Sequence, residues 1–244
     1  MTLARFFVCP ITEPEVELSP EEGRHAVGAR RLRVGDEVEL FDGQGRRARG
    51  RVEMIRKGRV TVAVEALQMA APVEGRITLA ASIAKGERFD WLVEKCTELG
   101  VDRIVPVRYS RTVKQASGER ARQRYERLAV AAAKQSGRVY LPEIAEPMGL
   151  ADCLAEIAAR AEATTLLYGS WAPAATPVTQ AWTGRDVTAF VGPEGGLTAE
   201  EEEMLIRGQA KAVRLTGTIL RVETAAVAFV AVLASLRDQQ VGGS

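Results

Sequence analysis

The chain has 244 residues, of which 46% are hydrophobic and 5% aromatic, and its formal net charge is +1. Such a chain can bury a substantial core as one large domain or two unequal ones, while the low aromatic share argues against a module built on base stacking. No apolar run approaches the roughly 20 residues that cross a bilayer, so we expect a soluble protein without a membrane segment.

Three cysteines lie far apart at Cys9, Cys96 and Cys153 and form no CxxC pair. The spacing indicates neither a disulfide framework nor a zinc site, and no metal is expected. The apolar patch at 6–8 is brief and runs into acidic residues, unlike a signal peptide. A reducing, cytoplasmic location is the simplest interpretation.

Charge is uneven along the chain. Residues 24–59 carry 11 basic and 5 acidic side chains and residues 85–138 carry 13 and 7, a net of +6 in each block, whereas residues 139–244 have a net of −6. Because phosphate neutralisation depends on local charge, the two blocks indicate a face that binds a polyanion. Solvated faces of helices and strands would give the same pattern, and this alternative stays open.

The first seventy residues predict a small β-rich, barrel-like module. Apolar and polar residues alternate over 34–41, 51–55 and 59–64, with a turn signal at Asp42-Gly43. The run Gly43-Gln44-Gly45-Arg46-Arg47-Ala48 matches a dinucleotide fingerprint but lies between two strand patterns and opens no helix, so we assign no nucleotide site to it.

Residues 70–75 predict a linker, which gives domains of 1–71 and 72–244. Beyond the linker, strand and helix patterns alternate, which predicts an α/β domain with a mainly parallel sheet. Strands are predicted over 77–84, 103–107, 164–168, 186–191 and 212–215, and helices over 88–99, 118–135 and 223–236. Gly100 fits the C′ position of the first helix. The last helix is apolar on nearly every face, so it must be buried within the domain or against another subunit.

Two loops follow predicted strands, where open α/β sheets bind ligands: residues 192–198, Gly-Pro-Glu-Gly-Gly-Leu-Thr, and residues 219–225, Ile-Leu-Arg-Val-Glu-Thr-Ala. Thr198 and Glu201 form a capping box that starts a helix with four glutamates at 200–203. These carboxylates would repel a phosphate, and the chain has no GxxxxGK[ST] motif. A phosphate-free, positively charged adenosine ligand such as S-adenosylmethionine fits better, although an ordinary turn would also explain the glycines.

Together with four shorter segments, these loops closely resemble the RsmE-type 16S rRNA (uracil-N3)-methyltransferases of the SPOUT superfamily. The shorter segments are Arg24-His25, Glu98-Leu99-Gly100-Val101, Ser110-Arg111-Thr112-Val113-Lys114 and Gln135-Ser136-Gly137-Arg138. The match runs through the whole chain in the same order. The resemblance implies an N-terminal PUA-like RNA-binding β-barrel, a C-terminal trefoil-knotted methyltransferase domain and a homodimer. The activity that it implies is S-adenosylmethionine-dependent methylation of N3 of a uridine in 16S rRNA of the small ribosomal subunit.

The resemblance also assigns residues to the cofactor, and glycines there would let the backbone approach adenosine closely. The cofactor residues are Leu167, Gly192, Gly195, Gly196, Leu215, Ile219, Leu220, Thr224 and Ala225. For catalysis, Arg221 would stabilise negative charge on the uracil ring, and Glu223 is a candidate base. Glu223 would equally complement the dipole of the last helix, and solvent is another possible proton acceptor.

RNA contacts are assigned to the basic blocks, in which phosphate contacts supply affinity while RNA shape and an unstacked uridine supply the choice of site. The RNA-binding residues are Arg24, His25, Arg30, Arg31, Arg33, Arg111, Lys114 and Arg138. A structural role for His25, the only histidine, stays open.

The chain departs from the family pattern at Thr218, where an arginine is usual, and at Lys134, where an acidic residue is frequent. The first departure affects the conformation of the second loop and its substrate contacts. The alternative function is that of a non-catalytic RNA-binding factor in ribosome assembly, which would need the barrel and the basic blocks but not both ligand loops.

Overall fold

The structure is a computed structural model that describes residues 3–112, 118–160, 163–182 and 184–241. The chain divides into two compact units, the first comprising Met1–Pro72 with Ala133–Leu141 and the second comprising Val73–Ala132 with Pro142–Ser244. None of the described helices is long and apolar enough to cross a membrane.

The first unit is built on a five-stranded sheet. Its elements are β1 (Ala4–Phe7), β2 (Glu15–Glu17), α1 (Pro20–Gly28), β3 (Glu37–Phe41), β4 (Arg46–Arg56) and β5 (Arg59–Met69). The strands pair in the order β1-β3-β4-β5-β2, and all pairs except β1 with β3 are antiparallel. Alternation buries one set of side chains, including Val38, Leu40 and Val62, against Phe6 and Ala26. The three predicted strands are confirmed, while β1, β2 and α1 were not predicted.

The glycines of the apparent dinucleotide fingerprint form the turn between β3 and β4. Gly43 and Gly45 have φ values of 77° and 97°, which favour glycine. The Asp42 carboxylate accepts hydrogen bonds from the backbone N–H groups of Gln44 and Arg46 at 2.8 and 3.0 Å. As expected, this run opens no helix.

Residues 133–141 pack with the first unit, although the predicted division placed them in the second domain. The buried Arg5 guanidinium donates hydrogen bonds to the backbone oxygens of Ala133, at 2.8 Å, and Arg138, at 3.0 Å. The Tyr140 hydroxyl donates to the oxygen of Ala70 at 2.8 Å. These contacts join residues far apart in sequence, so local patterns do not reveal them.

The second unit alternates strands and helices. Its elements are β6 (Ile77–Ser82), α2 (Glu87–Leu99), β7 (Arg103–Arg108), α3 (Glu119–Ser136, whose last four residues belong to the first unit), β8 (Glu143–Ile144), β9 (Met148–Gly149), α4 (Leu150–Ala158), β10 (Thr165–Gly169), β11 (Thr176–Pro177), α5 (Val178–Ala181), β12 (Val187–Val191), α6 (Ala199–Arg207), β13 (Lys211–Arg214) and α7 (Val222–Val241).

The eight strands of this unit form one parallel sheet in the order β11-β13-β10-β12-β6-β7-β8, with β9 also paired to β7. Helices α2 and α7 cover one face through residues such as Phe89 and Phe229, and α4 and α6 cover the other through Cys153 and Leu205. The predicted α/β fold with a mainly parallel sheet is therefore confirmed. Gly100 ends α2 in the left-handed conformation, as predicted.

Helix α7 is buried along one side only. Ala226, Phe229 and Leu233 lie in the core, whereas Ala228 and Ala231 on the opposite side are partly exposed. Burial within this unit thus accounts for only part of the apolar surface of the helix.

Candidate active site

Three neighbouring strands of the parallel sheet end at one cavity of about 390 Å³. Strand β10 lies between β13 and β12, so the connection from β12 through α6 to β13 passes over it. A reversal of this kind at the carboxyl ends of parallel strands opens a crevice, which is where α/β sheets bind their ligands.

Each strand contributes one wall of this cavity. The glycine loop, residues 192–198, follows β12. Residues 215–221, which include the start of the second loop, follow β13. Gly169, the last residue of β10, forms the third wall together with Ser170 and Trp171. The first turns of α7 close the base through side chains that include Phe229.

Seven of the nine residues predicted to bind a cofactor line this cavity: Gly192, Gly195, Gly196, Leu215, Ile219, Leu220 and Ala225. The other two do not. Leu167 is completely buried within β10, and Thr224 is exposed on α7. The fold therefore brings the two predicted loops together, and their contact with a cofactor stays a prediction.

The two predicted catalytic residues lie at the junction of the second loop and α7. Arg221 is exposed and does not line the cavity. Glu223 is only 9% exposed, and its Oε1 lies 3.8 Å from Nε of Arg88. Its Oε2 is buried without a hydrogen-bond partner. Because Glu223 is the second residue of the helix and is turned toward Arg88, its position favours the helix-dipole role over proton transfer.

Hydrogen bonds from several side chains fix the glycine loop. Arg111 Nη1 donates to the backbone oxygens of Gly195, at 2.6 Å, and Leu197, at 3.4 Å. The predicted capping box is present, because Thr198 Oγ1 accepts from the N–H of Glu201 while Glu201 Oε2 accepts from the N–H of Thr198. Arg111, predicted to contact RNA, thus supports the wall of the cavity.

Two residues near the cavity were not predicted. Trp171 is 52% exposed although it lines the cavity, and Arg88 Nη1 donates to Oε1 of Glu194 in the glycine loop at 2.9 Å. Trp171 lies three residues after the predicted strand 164–168, and this position was a signal that it could line the site. No sequence pattern indicated Arg88, because its hydrogen bond to Glu194 joins residues that are 106 positions apart.

The lining of the cavity suits an apolar, phosphate-free group. Among the described lining residues only Glu194 and Arg214 carry charge, and the remaining surface is backbone and largely apolar side chains such as Val191, Leu220 and Phe229. Without a cluster of basic groups, this lining offers no cradle for a triphosphate. The described residues also contain no cluster of three or more histidine, cysteine or acidic side chains that would hold a metal ion.

Four of the predicted RNA-binding arginines are exposed on α1 and the segment after it: Arg24, Arg30, Arg31 and Arg33. His25 is half-buried, and its ring meets the edge of Phe6 at 6.2 Å between centroids. Burial, together with the nearby Lys134 ammonium, lowers the pKa of His25, so its imidazole is neutral at pH 7 and adds no charge to this face. Arg138 belongs to the first unit, and Lys114 lies outside the described residues.

Lys134, where the family often has an acidic residue, forms an ion pair with Glu22. Its Nζ lies 2.8 and 2.7 Å from the two carboxylate oxygens, and both side chains are largely buried. The same ammonium lies 5.5 Å from the ring centroid of Phe6. The pair therefore fixes the end of α3 to α1 within the first unit.

Replacing Lys134 with methionine leaves the Glu22 carboxylate buried without its cation, and we expect the free energy of unfolding to fall by about 3 kcal/mol. Urea denaturation followed by circular dichroism measures the loss. The double variant Glu22→Met/Lys134→Met removes both charges and regains most of that stability. A single variant as stable as the native chain would show that the pair contributes nothing.

Comparison with known proteins identifies the family of this chain. A family model described as an RNA methyltransferase domain matches residues 71–234, and one described as an RNA methyltransferase PUA domain matches residues 18–65. A protein from Mycobacterium bovis named ribosomal RNA small subunit methyltransferase E is 32% identical over 224 residues, which cover 89% of this chain and 85% of that protein. A Bacillus subtilis protein of the same name is 26% identical, with 91% of this chain and 93% of that protein covered.

The same likeness holds in three dimensions. The crystal structure of a ribosomal RNA small subunit methyltransferase E from Neisseria gonorrhoeae, bound to S-adenosylmethionine, superimposes with a TM-score of 0.85 at 28% identity. The match covers 96% of this chain and 98% of that one. The likeness therefore extends over both compact units.

Proposed function

Because this chain belongs to the RNA methyltransferase family whose curated members are named ribosomal RNA small subunit methyltransferase E, we propose that it transfers a methyl group from S-adenosylmethionine to N3 of a specific uridine in 16S rRNA. One observation carries the proposal. The two loops identified in the sequence form facing walls of a single cavity at the carboxyl ends of adjacent parallel strands.

The cavity fits the methyl donor chemically. Its apolar side chains, Val191, Leu215 and Leu220 among them, would enclose the adenine, and the glycine loop would offer backbone groups to the ribose and the amino-acid part. The lack of a basic cluster agrees with a ligand that has no phosphate and carries positive charge. When bound, S-adenosylmethionine supplies an electrophilic methyl group on a sulfonium.

The protein then has to orient the uracil ring and stabilise the negative charge that develops on it. Uracil N3 bears a weakly acidic proton, and negative charge develops on the ring as that proton leaves. Arg221, exposed beside the mouth formed by the second loop, would stabilise this charge at O2 or O4. Positioning of the two reactants would supply much of the remaining rate enhancement.

The proton acceptor in this proposal is solvent rather than Glu223. The Glu223 carboxylate is buried beside Arg88 and does not line the cavity. A general base must reach the proton directly or through one water molecule. Glu223 would instead hold the start of α7, and so the base of the cavity, in place.

The remaining parts of the proposal concern RNA and assembly. The first unit would bind RNA through the exposed arginines on and after α1, and the protein would act in the cytoplasm, where ribosomal RNA is found. The partly exposed apolar side of α7 supports a homodimer, since an apolar helix face is stable when another subunit covers it. The trefoil knot stays a prediction from the family resemblance.

Trp171 gives a direct optical test of the donor site. We expect S-adenosylmethionine to change tryptophan fluorescence, because Trp171 lines the cavity while Trp182 is buried elsewhere in the unit. Trp171→Phe would remove the change, and Trp91→Phe, which alters an exposed tryptophan on α2, would retain it. An unchanged response in Trp171→Phe would place the ligand elsewhere.

Calorimetry separates this enzyme from a non-catalytic assembly factor. The enzyme would bind S-adenosylmethionine without RNA and would transfer label from the methyl-labelled donor to small-subunit RNA or to 30S particles. An assembly factor would bind the RNA without binding the donor. Absence of donor binding in a folded preparation would therefore reject the proposed function.

A further inference from the structure

The exposed face of the first unit's sheet carries a second basic surface, distinct from the arginines of α1. Arg47 and Arg49 lie on the solvent face of β4, where they border a groove of about 510 Å³. The remaining lining is mainly uncharged and includes Ala66 and Gln68 of β5. We propose that this groove binds the phosphate backbone of RNA.

The charges of the groove are not balanced by neighbouring strands. Arg47 lies opposite Phe41 on β3 and Gln68 on β5, neither of which is acidic. Arg49 lies opposite Glu39 and Ala66. In the part of the chain that the structure describes, no carboxylate oxygen lies within ion-pair distance of either guanidinium.

Glu39 is the one acidic residue among those that line the groove, and it already forms an ion pair with Arg5. Its Oε1 lies 3.3 Å from Nε of Arg5, a guanidinium that is only 7% exposed and that stacks 4.7 Å from the ring centroid of Phe41. The Arg5 guanidinium therefore neutralises the Glu39 carboxylate, which would otherwise be the acidic partner of Arg49 across the strand pair. The groove as a whole is therefore positively charged.

The next arginine on the same face of β4, Arg51, differs from Arg47 and Arg49 because it has acidic partners. Arg51 forms ion pairs with Glu37 at 3.2 Å and Glu65 at 3.1 Å, so its charge is matched within the sheet. Of the three arginines on this face of β4, only the two that border the groove lack an acidic partner among the described residues. Two arginines two residues apart on one strand face lie about 7 Å apart, close to the spacing of successive phosphates along a nucleic-acid strand, and guanidinium groups bind phosphate oxygens in a bidentate manner.

The inference rests on the proposed function, because it takes RNA as the polyanion, but it adds a surface that the donor site does not require. The test is filter binding of the full-length protein to a 16S rRNA transcript between 50 and 300 mM KCl. The slope of log K for association against log[KCl] is negative. For Arg47→Gln/Arg49→Gln we expect its magnitude to decrease by about 1.5, as for the loss of two phosphate contacts.

The matched control is Arg185→Gln/Arg207→Gln, which removes the same net charge from exposed positions of the second unit. Its slope stays within about 0.3 of the native value, since no phosphate contact is lost. The affinity of the groove variant for S-adenosylmethionine, measured by calorimetry, stays native, so failure of this inference is distinguishable from failure of the proposed function.

Two results would overturn the inference. One is a groove variant with the native salt slope. The other is a variant with native binding to the 16S rRNA transcript but weakened binding to 30S particles, which would indicate a ribosomal protein as the partner. Equal thermal unfolding of native and variant proteins confirms that a lower slope reflects lost contacts rather than lost fold.

Discussion

Arg221→Ala is expected to lower kcat for methyl transfer by about 10²- to 10³-fold, the effect of removing one preorganised group that stabilises charge in a transition state. The side chain is exposed and forms no ion pair with the described residues, so the fold should tolerate its removal. Steady-state methylation of 30S particles with labelled S-adenosylmethionine measures the change. Donor affinity, measured by calorimetry, stays within about twofold, because the guanidinium does not line the cavity.

The control for this variant is Arg207→Ala, which removes an exposed arginine that pairs with Glu203 along α6. It should retain native turnover and stability, because exposed helix pairs contribute little. If Arg221→Ala turns over as fast as the native chain, Arg221 has no part in the reaction, and another group must stabilise the uracil.

Gly196→Val is expected to weaken S-adenosylmethionine binding at least about tenfold, or about 1.4 kcal/mol. Gly196 has a φ of 73°, and its N–H donates to the oxygen of Pro193 at 2.8 Å to close the turn of the glycine loop. A residue with a Cβ loses about 1–2 kcal/mol in this conformation. The loop would relieve that strain by changing shape, and the change would move the backbone groups that face the ligand.

Gly58→Val is the matched control for this effect. Gly58 has a φ of 81° in the turn between β4 and β5, and a Cβ there would meet no atom within 4 Å. We expect both variants to lose comparable stability in denaturation, but only Gly196→Val to lose donor affinity in calorimetry. Native affinity in Gly196→Val would remove the glycine loop from the donor site.

The parts of the fold that follow local rules were predicted well. The end of α2 at Gly100 and the capping box at Thr198 depend on residues close in sequence, and both were found where expected. Helix α1 was missed although Ser19 caps it and Pro20 begins it, a recognisable start signal in a segment otherwise interpreted as β-rich.

The candidate site was predictable to the extent that its loops carry their own pattern. Glycines and apolar residues after strands identified the two loops. Leu167, which was assigned to the cofactor, is buried in β10 two residues before Gly169, which lines the cavity, and Trp171 was not predicted. Arg111, assigned to RNA by its charge, also donates a hydrogen bond to Gly195 across 84 residues of sequence, and its RNA contact stays a prediction. Such long-range contacts depend on the folded sheet, which periodicity does not specify.

The most direct measurement of the central claim is nucleoside analysis of RNA from 30S particles incubated with the protein and methyl-labelled S-adenosylmethionine. The RNA is digested to nucleosides, and the label is located by mass spectrometry. The proposed function predicts that the label appears in N3-methyluridine from 16S rRNA and is lost with Gly196→Val. Label in any other nucleoside, or no label with a folded protein that binds the donor, would contradict it.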